Sequence, residues 1–348
     1  MLRTLVLVSS FSEYFGMGYS YELSGSRIER PYHEGNYIHN TLFEKFYMES
    51  PITIIMMSKP VFCVVEECAF FDCANGKDGG GIYYNVLNGS LIIARSCAQQ
   101  CMAETGNGQF LFSSIRDDLK ITIDTLSLYQ CATDSQLEVI RFAPLYFFEG
   151  NVSITNLNVT KCIVHSYSGA HFRSNPFVSV SYSNFERNSA YYSSCLYKSE
   201  GSSNSFNISR CNLILNTSPT NGIITEISGL EVRIYNSVFL NNQNVLFYMG
   251  SFYLLQCYIY HPGSLNSGGV VSMSQVVSTS KYTETILLQR FNTYQCNEQY
   301  SGVSLLAEPC QTLYPPPTSC KFQSNNLEES FVIISDLFTM ILHLLLID

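Results

Sequence analysis

A short phase pattern recurs along this chain at intervals that no single globular layer would produce. Taking the Cys or Asn that closes each unit as a marker gives Cys73, Cys101, Cys131, Cys162, Asn188, Asn216 and Asn242, continued by Pro262 and Cys296, at steps of 20 to 34 residues. Ten and eight residues before every marker stand two apolar residues: Cys63 and Val65, Ile121 and Ile123, Val152 and Ile154, Val232 and Ile234 are examples. Alternation of this kind marks a short strand with one buried face. A second pair lies five and three residues before the marker, as in Cys68 and Phe70 or Leu126 and Leu128. A third apolar stretch follows many markers after a turn, at Ile82–Tyr84, Phe110–Phe112, Ile140–Phe142, Ile223–Ile224 and Val270–Val271.

Three short strands per unit predict one coil of a solenoid, which cannot bury its apolar face alone and must stack on its copies. The expected fold is therefore all-β: a right-handed parallel β-helix, a pectin-lyase-like solenoid of about nine or ten coils. Stacking would bring like residues together, with Cys73, Cys101, Cys131 and Cys162 in one ladder and Asn188, Asn216 and Asn242 in another. A helical solenoid would need apolar residues at spacings of three, four and seven, which these units lack. A β-sandwich also offers many short alternating strands, but nothing in it demands a common internal phase. It is the alternative fold.

Phe185-Glu186-Arg187-Asn188 and Phe239-Leu240-Asn241-Asn242 fit an F-x-x-N motif, Phe70-Phe71-Asp72-Cys73 fits its Cys variant, and Gly79-Gly80-Gly81-Ile82 is similar to a G-G-A-I motif. Together they resemble the repeats of the chlamydial polymorphic membrane proteins and related trichomonad surface-protein families. The resemblance covers roughly residues 60 to 300 and implies a right-handed β-helix displayed on a cell surface, used for adhesion or host contact in some members.

The chain of 348 residues divides on this reading into a weak signal segment over 1–20, an N-terminal cap and first coil over 21–60, the repeats over 61–305, and a Pro-containing linker with an apolar C-terminal cap or anchor over 306–348. The apolar run Phe331 to Ile347 is interrupted by Asp336 and His343. It suits a cap over the last coil, whose strand edges are otherwise open, with membrane association as the second role. Acidic residues outnumber basic ones, 28 to 19, which argues against a nucleic-acid partner. Only 14% of residues are charged, so Ser, Thr, Asn and Tyr must supply the polar surface.

Five glycosylation sequons occur. Asn88, Asn151, Asn158 and Asn207 are candidate glycan sites, whereas Asn216 falls on the inward ladder and should be bare. The 13 cysteines leave two readings open: disulfides such as Cys73–Cys101 and Cys131–Cys162 between stacked coils, or reduced thiols packed as small apolar groups.

Many β-helices cleave polysaccharides, which requires a carboxylate pair or an acidic cluster with a basic residue on adjacent coils. The local candidates are Asp117-Asp118 beside Arg116 and Lys120, and Glu66-Glu67 near Asp72. No catalytic, metal or cofactor motif stands out, since HExxH, G-x-S-x-G and phosphate-loop patterns are missing. The expectation is a non-enzymatic surface or secreted β-helix that binds a host or cell-surface protein or glycan, with Tyr253, Tyr258 and Tyr260 as outward contact candidates. A polysaccharide lyase or glycoside hydrolase and a degenerate member of a large surface-protein family are the alternatives.

Overall fold

The computed structural model describes residues 10–24, 33–56, 58–116, 119–132, 143–193, 195–200 and 205–277. These belong to the first of the two units into which the chain divides, Met1–Ser304 and Leu305–Asp348. Asp117-Asp118, Ile140–Phe142, Cys296 and Phe331 to Ile347 lie outside the described residues.

The architecture is a parallel β-helix. Its long sheet runs from Tyr21–Ser24 through Gly35–His39, Val61–Glu66, Gly89–Gln99, Lys120–Tyr129 and Asn151–Thr160, then on through Phe177–Ser181, Ser205–Ser209, Glu231–Tyr235 and Ser251–Leu255 to Val270–Ser274. Every neighbour in it is parallel, which excludes the antiparallel sandwich. The register repeats the sequence phase: Cys63, Leu91, Ile121, Val152, Val178, Phe206, Val232 and Phe252 are successive Cα partners, all buried. The second inward pair aligns too, as Phe70, Ala98, Leu128, Val159, Phe185, Leu213, Phe239 and Ile259. A second sheet of strands such as Ile82–Val86, Leu111–Ser114, Leu145–Phe148, Ala170–Arg173 and Leu196–Ser199 closes the other side of each coil. A short third sheet joins Tyr47–Met48, Ala74–Asn75 and Met102–Ala103.

About seven turns carry both sheets with a full coil on either side, against the nine or ten expected. The difference lies at the ends. Val271 does not belong to a third strand: it pairs with Phe252 and opens a further rung of the long sheet. The 34-residue step from Pro262 to Cys296 therefore spans a rung that the marker pattern skipped.

Two corners per coil explain the sequence phase. Six residues before each marker the backbone is left-handed at Glu67, Arg95, Thr125, Asn156, Tyr182, Arg210, Asn236 and Gln256, with φ between 45° and 68°. One residue before the marker it is left-handed again, at Asp72, Gln100, Gln130, Lys161, Arg187, Leu215 and Asn241. Such a conformation costs a non-glycine residue roughly 1–2 kcal/mol. It persists because the corner's own N–H still pairs with the next coil, as from Leu215 N to Leu240 O at 2.9 Å.

The next N–H along points into the core, where no backbone acceptor faces it, and an unpaired donor there is costly. Side chains one rung on accept it: Cys68 N donates to Ser96 Oγ at 3.1 Å, Cys211 N to Ser237 Oγ at 3.1 Å, and Asn188 N to Asn216 Oδ1 at 3.0 Å. The asparagine ladder completes itself by donating from Asn216 Nδ2 to Phe185 O at 2.8 Å and to Asn242 Oδ1 at 3.0 Å. The Gly-Gly motif serves a third corner. Gly79 has φ +69°, and a Cβ on Gly80 would stand 2.3 Å from the Gln109 carbonyl oxygen.

The helix Ser10–Phe15 lies against the outer face of the first coils, where Phe11 packs on Tyr37, Val64 and Ile92. That contact accounts for apolar residues at outward positions 64 and 92, and it makes the chain from Ser10 part of the folded body.

Two stability outcomes follow. Asn216→Ala removes the acceptor of the buried Asn188 N–H and the amide donor to the Phe185 carbonyl and should lower unfolding free energy by about 2–4 kcal/mol in urea titration, whereas outward Asn207→Ala should stay within about 0.5 kcal/mol. At the corner, Leu215→Asn should be neutral or stabilising by up to about 1 kcal/mol, while β-branched Leu215→Val should destabilise by about 1–2 kcal/mol; equal effects would contradict a left-handed corner.

Candidate functional site: the aromatic flank of the second sheet

In-register parallel stacking aligns the outward residues of the second sheet just as it aligns the core. Tyr83, Phe112, Tyr146, His171 and Tyr197 are successive Cα partners on adjacent coils. Their ring centroids follow one another at 5.1, 5.5, 4.7 and 4.7 Å, near the strand spacing of about 4.8 Å. The first three rings are stacked, and the His171 ring meets Tyr146 and Tyr197 edge-on. Tyr167, on the preceding turn, stacks on Tyr197 at 3.9 Å, and their hydroxyls hydrogen-bond.

The aromatic surface continues onto the turns. His165 stacks on Tyr191 at 5.7 Å and meets Tyr192 edge-on, and Tyr191 and Tyr192 are 45% and 40% exposed. Arg173 borders the ladder, lying over the Phe148 ring and donating from Nε to Glu200 Oε2 at 2.9 Å. The flank thus joins flat apolar faces to hydroxyl and guanidinium donors.

His171 is the buried centre of this ladder. Its Nε2 lies 2.8 Å from Ser199 Oγ, and burial, aided by the charges of Arg173 and Lys198, pulls its pKa down to about 3. A serine beside an imidazole is the geometry of a nucleophile and its base, but an effective base needs a pKa near the working pH. His171 stays neutral and acts here as a polar ring of the ladder. Beneath it, on the inner face, Lys198 and Glu226 are register partners with no exposure. Lys198 Nζ donates to Glu200 O at 3.1 Å, and the Glu226 carboxylate accepts the backbone N–H groups of Ser228, Gly229 and Leu230. Buried charges held in this way avoid the cost of an unmatched ion.

A second cluster forms at the first corner. Arg95 Nε donates to Glu67 Oε1 at 3.1 Å, and its Nη2 donates to Glu66, whose other oxygen accepts the Tyr37 hydroxyl at 2.6 Å. Asp124 occupies the same phase as Glu66 two coils on and accepts from Asn156 Nδ2. Asp72, the other acid noted near Glu66-Glu67, accepts from Tyr47 instead.

The remaining sequence candidates divide. Asn88 is exposed and Asn151 and Asn207 are partly exposed, but Asn158 is 3% exposed. Its Oδ1 accepts from Asn184 Nδ2 at 3.0 Å and its Nδ2 reaches Ser127 Oγ, so this outward asparagine has no room for a glycan. Tyr253 is half-buried and Tyr260 is 36% exposed, whereas Tyr258 is 2% exposed and presents nothing to a ligand. Outward direction on a strand is not exposure when corner side chains close over the position. Cys73, Cys101, Cys131 and Cys162 are free, buried thiols, and Cys97 is disulfide-bonded. The aromatic flank was missed because its rings occur once per coil at variable distances after the marker. Only the register shows them adjacent.

No group of three or more metal-ligating side chains occurs among the described residues, and no helix there is long and apolar enough to cross a membrane. No protein-family model, curated protein or solved structure matches the chain.

The neutral His171 predicts a pH effect with a definite sign. Its folded pKa is depressed, so the unfolded chain takes up the proton first, and stability from this group is full above about pH 6.5 and is lost as pH falls toward 3. The loss amounts to at most about 5 kcal/mol. Urea midpoints measured from pH 7 to 3 should fall less steeply for His171→Phe than for the parent chain.

Proposed function

We propose that this β-helix is a non-enzymatic ligand-binding protein of the cell surface or extracellular space, and that it binds a glycan along the aromatic flank of its second sheet. The observation that carries this reading is the exposed pair Tyr191 and Tyr192 with half-buried His165 stacked against it, together with the partly exposed Tyr83 and Phe112; Tyr146, His171 and Tyr197, at 4, 5 and 8% exposure, are the buried part of the row. Tyrosine offers a flat apolar face with a polar tip, which suits a ligand that is itself half apolar and half hydroxyl. The resemblance of the F-x-x-N and Gly-Gly motifs to polymorphic membrane protein repeats supports a surface setting, with membrane association through Phe331 to Ile347 as part of the same proposal. The motifs themselves have structural roles, with Phe185 and Phe239 in the core and Asn188 and Asn242 on the ladder.

The test is binding of the full chain to a panel of immobilised polysaccharides. The double variant Tyr191→Ala, Tyr192→Ala should weaken binding at least about tenfold, since a stacked aromatic contact contributes about 1 kcal/mol or more, with an unchanged far-UV spectrum. Equal binding by parent and variant, or binding to protein ligands alone, contradicts the glycan assignment.

One observation favours a second reading, a carbohydrate-active enzyme. Glu66, Glu67 and Asp124 share a corner with Arg95, which is the acid and base combination such chemistry requires. Against it, Glu66 is 2% exposed and has both oxygens engaged. Release of reducing or unsaturated ends from any polysaccharide, abolished by Asp124→Asn, would establish it.

A further inference from the structure

The marker position carries Cys in four consecutive coils, and no other ladder among the described residues does so. Cys68 is followed one rung on by Ser96, Cys211 is flanked by Ser183 and Ser237, and Ser237 separates Cys211 from Cys257. Cys63 has Asn36 and Leu91 as its neighbours. Cys73, Cys101, Cys131 and Cys162, in contrast, stand one above another, each sulfur within hydrogen-bond reach of the next, and all four are fully buried. Facing residues on parallel rungs lie about 4.8 Å apart, inside the Cα separation of about 4.4–6.8 Å that a disulfide spans.

We propose that this ladder is a site of internal disulfide formation, closing as Cys73–Cys101 and Cys131–Cys162 when the chain folds in the presence of a low-molecular-weight disulfide. Pairing each end cysteine with its inner neighbour uses all four sulfurs, whereas Cys101–Cys131 would strand Cys73 and Cys162 three rungs apart. The balance is simple. One cysteine thiolate attacks a small disulfide R–S–S–R and expels R–S⁻, the neighbouring thiolate attacks the resulting mixed disulfide at the protein sulfur and expels the second R–S⁻, and the two protons lost by the cysteines pass to the leaving thiolates. Two protein thiols and one small disulfide become one protein disulfide and two small thiols.

The exchange belongs to the folding chain, because the stacked ladder excludes both reagent and water. Burial pushes the Cys101 thiol well above its ordinary pKa, which removes the thiolate that exchange requires. The product is neutral, so it adds no charge to the core. The carbonyls of Phe71 and Gln99, which accept from Cys73 and Cys101, keep backbone donors from Lys45 and Asp72 when those S–H groups are gone. The same position in the later coils carries Asn188, Asn216 and Asn242, which hold their rungs by amide hydrogen bonds. The first half of the solenoid would then be stapled covalently where the second half is held by amides.

The experiment refolds the full chain with and without oxidised glutathione, blocks remaining thiols with iodoacetamide in denaturant, and maps linked peptides by mass spectrometry. Linked Cys73–Cys101 and Cys131–Cys162 peptides are expected, with Cys63, Cys68, Cys211 and Cys257 alkylated and Tm raised by about 5 °C or more. Cys73→Ala should leave Cys101 alkylated and Cys131–Cys162 still linked. If that variant fails to fold, the parent map decides alone. Alkylation of all four ladder cysteines after oxidative refolding, or their linkage only to cysteines off the ladder, overturns the proposal. Neither result depends on the ligand.

Discussion

Everything in this molecule depends on in-register parallel pairing between successive coils. When each strand pairs with the same strand one turn later, every side chain acquires its own counterparts as neighbours at about 4.8 Å. An apolar residue at a given phase must then be apolar in every coil, because an isolated polar one would be buried among hydrocarbon. A polar residue at an inward phase must be able to bond to a copy of itself or to the next backbone. Asn188, Asn216 and Asn242 meet that demand completely, with their amides serving as donor above and acceptor below. The same rule applied outward produces the aromatic ladder, where ring stacks on ring.

The corners convert this rule into a chain path. Two left-handed residues per coil turn the strand without breaking the backbone pairing between coils, and each leaves one N–H aimed inward. That donor explains why the residue after a corner is so often Ser, Asn or Cys. Ser96 and Ser237 accept it with a hydroxyl, Asn216 with an amide oxygen, and the Cys sulfurs accept it more weakly while packing as apolar groups. The marker residues found in the sequence are thus the acceptors that corners require.

Much of this was legible in the residues themselves. The inward pairs at eight and ten residues before the markers from Cys73 to Pro262 became register partners, and the Asn and Cys ladders occupy the rungs assigned to them. The corners were hidden because Arg95, Tyr182, Gln130 and Leu215 carry none of the glycine or asparagine signal that marks a left-handed turn. Outward burial was hidden for a related reason. Asn158 and Tyr258 point away from the core yet are covered by the side chains of adjacent rungs, and Val64 and Ile92 by a helix distant in sequence. The skipped rung at Val271 lay in a step too long to reveal its own phase.

By itself the sequence determined the solenoid, since a phase repeated over so many units can be buried only by stacking the units on one another. Only the tertiary structure decided which outward residues are accessible and which meet. Tyr83, Phe112, Tyr146, His171 and Tyr197 are scattered over more than a hundred residues of chain, and the spacing between them varies because turns of unequal length intervene. Turn length does not alter the register of the strands that flank it. The hydrogen-bond ladder alone brings those five rings into one row, and the burial of Tyr146, His171 and Tyr197 within it leaves the proposed function resting on the exposed Tyr191 and Tyr192.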